Sequence, residues 1–443
     1  MTPVHSKPHQ PSGGDMTDTT LDTSATEVEA AIAAKADRAR AASRVLAQAN
    51  RDHKDRALRA IGETLDSNRA AILEGNQKDL VRGEANGTSQ ALLDRLRLDD
   101  ARIDGLISAL EDLAGLPDPV GEVLRGQTLP NGLRLRQVHV PLGVVGAIYE
   151  ARPNVTVDIA GIALKSGNAV LLRGGSAAEE SNKVLIRLIR EALEGVDLPA
   201  DAVQGIDELG RPGATALMGA RGKVDVLVPR GGRSLIQAVV QNASVPVIET
   251  GEGNVHIFLD ESAPEDLAVP IVVNAKTHRT SVCNAAETLL VHKDAVAARE
   301  VLTKLSDAGV RLHVDERAAE LAAGLNIVPA TAEDWGTEYL DMDIAVAVVD
   351  SLDDALDHIR EYSSGHTEAI LTNDLSRSER FVREIDSAAV IVNASTRFTD
   401  GGQLGLGAEV GISTQKMHAR GPMGLRELTT TKWIIQGDGQ IRP

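Results

Sequence analysis

Short aliphatic runs alternate with helical segments along most of the chain, and this alternation most limits the folds available to it. From Val144 onward the runs VVGAI, AVLL and VDVLV are separated by segments of helical periodicity and by glycine-rich turns. A strand, a helix and a further strand in this order form βαβ units, whose strands pair in parallel. A second series of aliphatic runs begins near Pro246, at 256–259, 287–291, 344–349, 368–371 and 388–392. The pattern predicts an α/β protein with two α/β units.

The N-terminal segments have different patterns. Residues 1–23 are rich in Pro, Gly, Asp and Thr with little to bury, so we expect a disordered tail, in which Met16 is a candidate start. Residues 24–116 are predicted to be helical, because Ser24 and Glu27 have capping-box spacing and apolar residues follow at helical intervals.

Two further segments read as β-structure outside the α/β units. Pro130-Asn131-Gly132 lies between extended runs within 126–140, which indicates a β-hairpin that projects as an arm. The C-terminal TTTKWIIQ, residues 429–436, is rich in β-branched residues. We expect it to pair with the hairpin or with another subunit.

Composition excludes some classes of function. The 443 residues carry 64 acidic and 46 basic side chains, a net charge of −18, which disfavours a nucleic-acid partner because such proteins need basic surface. No run approaches the roughly 18 consecutive apolar residues of a transmembrane helix, so no membrane partner is expected. The single cysteine cannot form an intramolecular disulfide, which favours a cytoplasmic location.

That cysteine, Cys283, lies in a polar turn between a predicted helix and a predicted strand. Lys276, His278 and Arg279 stand just upstream. Nearby cations stabilise a thiolate, the form that attacks carbonyl carbons, so this turn suits a nucleophile. A free cysteine is also commonly a small buried hydrophobe, and the local sequence leaves both interpretations open.

Other segments offer partners for such a nucleophile. Glu249 ends a short apolar run and suits a general base, although a solvated strand end explains it equally well. Two turns that combine arginine with paired glycines, at 173–176 and 230–233, precede predicted helices and suit phosphate binding. Neither turn matches the GxGxxG fingerprint.

The segments YEARPNVTVDIA, VPRGGRSLI, IETGEGN, KTHRTSVCNAAETLL and HARGPMGL, together with residues 348–370, resemble one branch of the aldehyde dehydrogenase superfamily. This branch is the glutamate-5-semialdehyde dehydrogenases, and the resemblance extends from about residue 26 to the C-terminus. It implies a Rossmann-type cofactor domain, an α/β catalytic domain and a β-hairpin oligomerisation arm. It also implies NADPH-dependent reduction of L-glutamyl 5-phosphate to the semialdehyde and phosphate, the second step of proline biosynthesis, without a metal.

The resemblance assigns roles to individual residues. Cys283 matches the nucleophile that forms a thioester, and Asn154 matches the asparagine that holds the oxyanion together with the Cys283 backbone N–H. The positions that match the cofactor site are Arg173, Gly174, Gly175, Ser176, Gly231, Gly232, Ser234 and Glu338. The first four would meet the adenosine ribose of NADP, the next three the pyrophosphate, and the last the nicotinamide ribose.

Phosphate exchange sets this branch apart from hydrolytic aldehyde dehydrogenases. Glu249 matches the glutamate that activates water in the hydrolytic enzymes, so its role as a base is doubtful where water must be excluded. Cationic groups in the matching segments are expected to bind the substrate phosphate instead: His278, Arg279, Arg397 and Arg420. Surface ion pairing remains the alternative for the last two.

The predicted domains follow from the same resemblance. A cofactor-binding domain at 24–247 carries the 126–140 arm, a catalytic domain spans 248–427, and residues 428–443 add a strand to the arm. A homo-oligomer is expected, and a transient contact with glutamate 5-kinase would pass on the labile substrate. The rival hypotheses are a hydrolytic aldehyde dehydrogenase and a non-catalytic protein on the same scaffold.

Overall fold

The computed structural model describes residues 25–150 and 152–442. The tail predicted at 1–23, the candidate start and the Ser24 cap lie outside the described residues. Five helices open the described chain: α1 Ala25–Leu46, α2 Arg51–Ser67, α3 Arg69–Ala85, α4 Gln90–Leu96 and α5 Asp100–Gly115. Side chains that accept hydrogen bonds from the first turn start three of them, at Asn50, Ser89 and Asp99. The prediction of a helical N-terminal region is confirmed over its described residues.

The first parallel sheet has four strands in the order β5-β4-β3-β6. The strands are β3 Val144–Tyr149, β4 Ala169–Arg173, β5 Val203–Gly205 and β6 Val226–Arg230. The helices that connect or follow them are α6 Pro153–Lys165, α7 Glu179–Gly195, α8 Gly210–Gly219 and α9 Arg233–Asn242. Strand β3 is buried throughout, and a Cβ at its Gly146 would lie only 2.5 Å from Leu227 Cδ2. The sheet and the N-terminal helices share one aliphatic core.

The second parallel sheet has seven strands in the order β10-β9-β11-β8-β7-β12-β13. These are β7 Val255–Leu259, β8 Ala286–His292, β9 Arg311–Val314, β10 Ile327–Pro329, β11 Asp343–Val349, β12 Thr367–Leu371 and β13 Ala389–Val392. The intervening helices are α10 Glu265–Thr277, α11 Ala298–Asp307, α12 Glu316–Leu321, α13 Leu352–Tyr362 and α14 Leu375–Glu384. All five runs predicted after Pro246 are strands of this sheet, so the second α/β unit is confirmed.

The arm is an antiparallel sheet. Its strands β1 Val123–Thr128 and β2 Arg134–Pro141 form the predicted hairpin, which is slightly longer than residues 126–140. A third strand, β16 Thr429–Gln436, pairs with β2 along its whole length, from Thr429 opposite Pro141 to Gln436 opposite Arg134. Pairing of the C-terminal strand with the hairpin is therefore confirmed. Two short strands, β14 Gly411–Ser413 and β15 Gly421–Met423, form a separate ribbon.

The two parallel sheets approach each other end to end. The chain leaves β3 and β6 at their carboxyl ends and enters β7, β8 and β11 at their amino ends around one cleft. Loop backbone at such ends is free to present side chains and N–H groups to a ligand. Among the described helices, none is both long enough and apolar enough to cross a bilayer.

Candidate active site

Cys283 lies in the wall of the cleft between the two sheets, which encloses about 630 Å³. Hydrogen bonds made by Asn284 and Thr396 hold the turn that carries Cys283 in place. The Nδ2 of the buried Asn284 donates to Thr399 O at 2.8 Å, and Thr396 Oγ1 donates to Asn284 O at 2.7 Å. Gly253 packs on the same turn so closely that a Cβ there would lie 1.5 Å from Cys283 O. The IETGEGN segment therefore fixes the backbone of the cysteine.

The electrostatic surroundings of the thiol differ from the sequence expectation. Burial, together with the carboxylates of Glu409 and Glu338, raises the pKa of Cys283 to about 12, although Arg230 opposes them. Lys276, expected beside the thiol, is fully buried and donates to Glu287 at 2.7 Å. The upstream lysine thus serves the packing of α10 on β8, and the surroundings of Cys283 favour its protonated form.

Arginines surround the mouth of the cleft. Arg95, Arg152, Arg230 and Arg279 line it, and burial together with repulsion from the other three lowers the pKa of Arg152. In the described chain no carboxylate lies within 4.0 Å of these four side chains. Unpaired guanidinium groups held together cost free energy unless an anion joins them. The cluster is therefore suited to a phosphate or carboxylate ligand.

Arg397 also lines the cleft, where it interacts electrostatically with Cys283. Its Nε lies 3.3 Å from His278 Nδ1, and its buried Nη1 has no hydrogen-bond partner among the described residues. Burial lowers its pKa. Arg397 and Arg279 thus line the cleft. Among the described residues, His278 approaches the cleft only through its contact with Arg397.

Glu249 and Arg420 are not brought to the cleft. The Glu249 side chain lies beside Gln415, with Oε2 3.4 Å from Nε2, while the next three residues line the cleft. Arg420 donates to Asp386 Oδ1 at 3.0 Å and forms no part of the cleft wall. Ion pairing, the alternative for Arg420, is what the structure shows.

Asn154 lies in a second cavity, of about 590 Å³, behind the Cys283 turn. It stands in the first turn of α6, and its Nδ2 donates to Asp158 Oδ2 at 3.1 Å. The two cavities share Ser281 and Val282 of the segment that carries Cys283, together with Arg95, Arg152 and Arg279, so they adjoin each other along this segment. An amide has two N–H groups, so one remains for a ligand.

The predicted cofactor residues occupy two turns. Gly231 and Gly232 precede α9, where Gly232 N donates to Glu150 Oε1 at 2.9 Å and a Cβ at Gly231 would lie 2.7 Å from Glu150 Cδ. A carboxylate at this helix N-terminus marks a position that suits an anion, and Ser234 lies in the same first turn. Glu338 lines the cleft opposite and accepts from Gly253 N at 2.9 Å.

The other turn, Arg173 to Ser176, follows β4. Gly174 N donates to Asp207 Oδ1 at 2.7 Å, and a Cβ at Gly174 would lie 2.1 Å from Asn182 Nδ2. Burial raises the pKa of Asp207 to about 6. Arg173 Nη1 donates to Gly174 O, while its buried Nε has no partner among the described residues. This turn, with Gly175 at its centre, fits a ribose or phosphate group near the guanidinium.

Several cleft residues were missed by the sequence analysis. Arg95 and Arg152 come from the helical region and from the residue before α6, and only the fold brings them together. Glu409 follows the glycine-rich segment 401–407, and it accepts from Gly401 N at 2.9 Å. Arg152 stands two residues before Asn154 in the segment YEARPNVTVDIA, a signal that could have identified it, whereas nothing local distinguished Arg95 or Glu409 from surface residues.

Comparison with known proteins covers both sheets and the arm. The aldehyde dehydrogenase family model matches residues 5–333. The gamma-glutamyl phosphate reductase of Kineococcus radiotolerans is 60% identical over 422 residues, which cover 94% of this chain and 98% of the relative. That of Thermobifida fusca is 56% identical over 420 residues, which cover 94% and 100%.

A solved structure agrees with these sequence relatives. The crystal structure of gamma-glutamyl phosphate reductase from Thermotoga maritima superposes with a TM-score of 0.90 at 49% identity, and the match covers 93% of this chain and 100% of that one. The predicted aldehyde dehydrogenase-like fold is thereby confirmed. The chain therefore belongs to the aldehyde dehydrogenase family, in which it is an oxidoreductase of the gamma-glutamyl phosphate reductase group.

Proposed function

We propose that this chain reduces L-glutamyl 5-phosphate to L-glutamate 5-semialdehyde and phosphate, with NADPH, through a thioester on Cys283. The observation that carries the proposal is the cluster of unpaired arginines around the only cysteine. The names of the relatives, which are gamma-glutamyl phosphate reductases, support the same substrate. In metabolism this reaction is the second step of proline biosynthesis from glutamate.

The chemistry follows from the arrangement of the chain's own groups. Cys283 Sγ attacks the acyl carbon, so a C–S bond forms while the bond to the phosphate oxygen breaks, and the proton of the thiol passes to the departing phosphate. Arg152, Arg230 and Arg279 take up the negative charge of the departing phosphate. The free N–H of Asn154 and the backbone N–H of Cys283 stabilise the oxyanion. When bound, the cofactor supplies the hydride that reduces the acyl carbon as the C–S bond breaks.

A hydrolytic reaction is less well supported. It needs a base that activates water at the thioester, and the matching Glu249 lies against Gln415 outside the cleft. Glu409, which does face the thiol, is close to Arg230 and Arg397 and accepts from Gly401 N. These contacts favour exchange with phosphate over attack by water.

Aldehyde dehydrogenase family enzymes use NAD or NADP, and we propose NADP for this chain. The unsatisfied Nε of Arg173 and the hydroxyl of Ser176 would hold the phosphate of the adenosine ribose. Arg173→Ala is expected to raise the KM for NADPH and to leave the KM for NADH nearly unchanged. An equal change for both cofactors would contradict this assignment.

The substrate assay runs in reverse, because acyl phosphates are labile. Formation of NADPH is followed from NADP and the semialdehyde, with and without inorganic phosphate. We expect continuous turnover only with phosphate, and none with Cys283→Ala under either condition. Sustained turnover of the wild-type enzyme to free glutamate without phosphate would favour the hydrolytic function instead.

We propose further that the chain forms a homo-oligomer through its arm and works in the cytoplasm. Trp433 and Ile435 of β16 are exposed to 48% and 63%, and no strand of the described chain pairs with the outer edge of β16. Such an edge is suited to pairing with a second copy. Sedimentation of the wild type and of a chain that ends before Thr429 tests this. A transient contact with glutamate 5-kinase would protect the labile acyl phosphate.

A further inference from the structure

The cavity behind Cys283 contains an acidic group that the proposed chemistry does not use. Asp158 lies one turn after Asn154 on α6 and lines this cavity together with Arg95, Arg152 and Arg279. The arginines account for anionic parts of a substrate. A carboxylate among them calls for a separate explanation, because it reduces the affinity of the cavity for anions.

Asp158 has few partners of its own. It is half-buried, and the one hydrogen bond its side chain receives comes from Asn154 Nδ2 at 3.1 Å. Within the described residues no cationic nitrogen lies within 4.0 Å of its oxygens. Burial raises its pKa to about 6, and the charge of Arg230 only partly offsets this. A carboxylate in this state gains free energy when a cation binds to it.

The other carboxylate of the same cavity is different. Asp94 is exposed, and it accepts from Arg102 Nη2 at 2.8 Å. Its charge is therefore already neutralised within the protein. Asp158 is the acidic group of the cavity that remains available to a ligand.

The substrate of the proposed function carries a matching cation. A glutamyl group has an α-ammonium beside its α-carboxylate, and the chain length between this nitrogen and the acyl carbon allows a five-membered ring. If the amine loses its proton it can attack the thioester. The new C–N bond then displaces the Cys283 sulfur, the nitrogen releases a proton, and the glutamyl group leaves as the lactam 5-oxoproline.

We propose, on the basis of the proposed function, that Asp158 binds the α-ammonium of the glutamyl group, which both selects amino-bearing substrates and prevents lactam formation. A carboxylate in contact with an ammonium favours its protonated form. A protonated nitrogen has no lone pair with which to attack. Contact with Asp158 on α6 also holds the nitrogen away from the Cys283 sulfur.

The alternative is that Asp158 only orients Asn154. Asp158→Asn separates the two roles, because the new amide oxygen can still accept from Asn154 Nδ2 while the negative charge is lost. A role confined to orientation predicts that all aldehydes are affected equally. Ammonium binding predicts that only the amino-bearing substrate is affected.

The first measurement compares two aldehydes in the reverse reaction with NADP and phosphate. One is glutamate 5-semialdehyde and the other is 5-oxopentanoate, the same molecule without the amine. For Asp158→Asn we expect kcat/KM to fall about 10- to 100-fold with the semialdehyde, the loss of a charged hydrogen bond. We expect little change with 5-oxopentanoate. Asp94→Asn, which removes the carboxylate paired with Arg102, should retain the wild-type preference.

The second measurement omits phosphate, so the thioester can be lost only to water or to its own amine. The wild-type enzyme should give one NADPH per active site and then stop. Asp158→Asn should continue to form NADPH, with an equal amount of 5-oxoproline found by mass spectrometry. Asp158→Ser, which removes the same charge with a smaller side chain, is tested in parallel in case the asparagine variant folds poorly.

The outcomes separate the two proposals. Equal losses with both aldehydes, or no additional 5-oxoproline from either variant, would overturn the role of Asp158. Phosphate-independent formation of glutamate by the wild type would instead overturn the proposed function. The amine-free aldehyde also reports folding, since a variant that turns it over normally is intact.

Discussion

Glu409 and Cys283 both line the cleft between the two sheets. The negative charges of Glu409 and Glu338 oppose formation of a thiolate, while Arg230 and a backbone hydrogen bond favour it. In such surroundings the thiol resists oxidation and adventitious alkylation until ligands change the field. The cysteine is therefore protected before the ligands bind.

Glu409→Gln removes this charge and should lower the pKa of Cys283 by about one unit. The pH dependence of alkylation by iodoacetamide measures the effect, and Cys283 is the only thiol that can react. Glu252→Gln is the matched control, because Glu252 lines the same cleft but is paired with Arg233 at 3.0 Å. An alkylation profile of Glu409→Gln that coincides with the wild type would refute this view of the thiol.

Arg152→Gln should weaken phosphate binding. In the reverse reaction we expect the KM for phosphate to rise about tenfold or more, the loss of a charge-assisted contact. Arg420→Gln serves for comparison. The Arg420 guanidinium is bound to Asp386, so the KM for phosphate of this variant should change little. A larger rise in the KM for phosphate with Arg420→Gln than with Arg152→Gln would contradict a phosphate site in the cleft.

The sequence could single out candidate site residues only where one segment carries a specific order of residues. Cys283 and Asn154 stand in such segments and line the cleft and the cavity that adjoins it, while their roles in catalysis stay predictions. Arg95 and Glu409 are far from both in sequence and stand in segments that match ordinary surface patterns. Their place in the cleft results from tertiary contacts, which periodicity cannot indicate.

At the scale of elements, the turn before β7 supports the nucleophile. Gly253→Ala should displace the Cys283 carbonyl, since a Cβ would overlap it, and overpacking of this kind costs about 1–3 kcal/mol or more. We expect a lower melting temperature and a larger loss of kcat. Gly195→Ala at the end of α7 is the control, as a Cβ there meets no atom within 4 Å in the described chain. Equal activity of the two variants would show that the turn can relax.

Prediction of elements depended on their length and polarity. Strands β7, β8 and β11 are aliphatic and buried, and each was expected. Strands β9 and β10 have four and three residues, and β9 alternates exposed Arg311 and partly buried His313 with apolar residues. Such short runs at the edge of a sheet do not differ in pattern from a loop. Strand β9 forms because it pairs with the edge of β11, and β10 pairs in turn with β9.

At the scale of the whole molecule, buried histidines couple stability to pH. Burial lowers the pKa of both His358 and His366 to about 4, against about 6.5 in an unfolded chain. Between these values the unfolded chain binds more protons than the folded chain. The contribution of these histidines to the free energy of unfolding should therefore fall as the pH decreases from about 6.5 to about 4, by up to about 3 kcal/mol for His366. The raised pKa values of Asp158 and Asp207 act in the opposite direction.

Urea unfolding between pH 4 and pH 7 measures this dependence. His366→Gln should lose less stability than the wild type as the pH decreases, and His53→Gln, a change in α2 far from the second sheet, serves as the control. A His366→Gln profile parallel to that of the wild type would contradict the assignment.

The architecture of two parallel sheets followed from the alternation of aliphatic runs and helical segments. The end-to-end approach of the two sheets did not follow from it, because this approach depends on contacts between loops.

The turn that carries Cys283 borders two adjoining cavities. Gly231, Gly232 and Glu338, proposed for the cofactor, line the cleft, whereas Arg152 and Arg279, proposed for the phosphate, line both cavities. Phosphate therefore has a route out through the second cavity while the cofactor stays in the cleft. Isotope exchange between phosphate and the acyl phosphate should accordingly proceed while the cofactor remains bound.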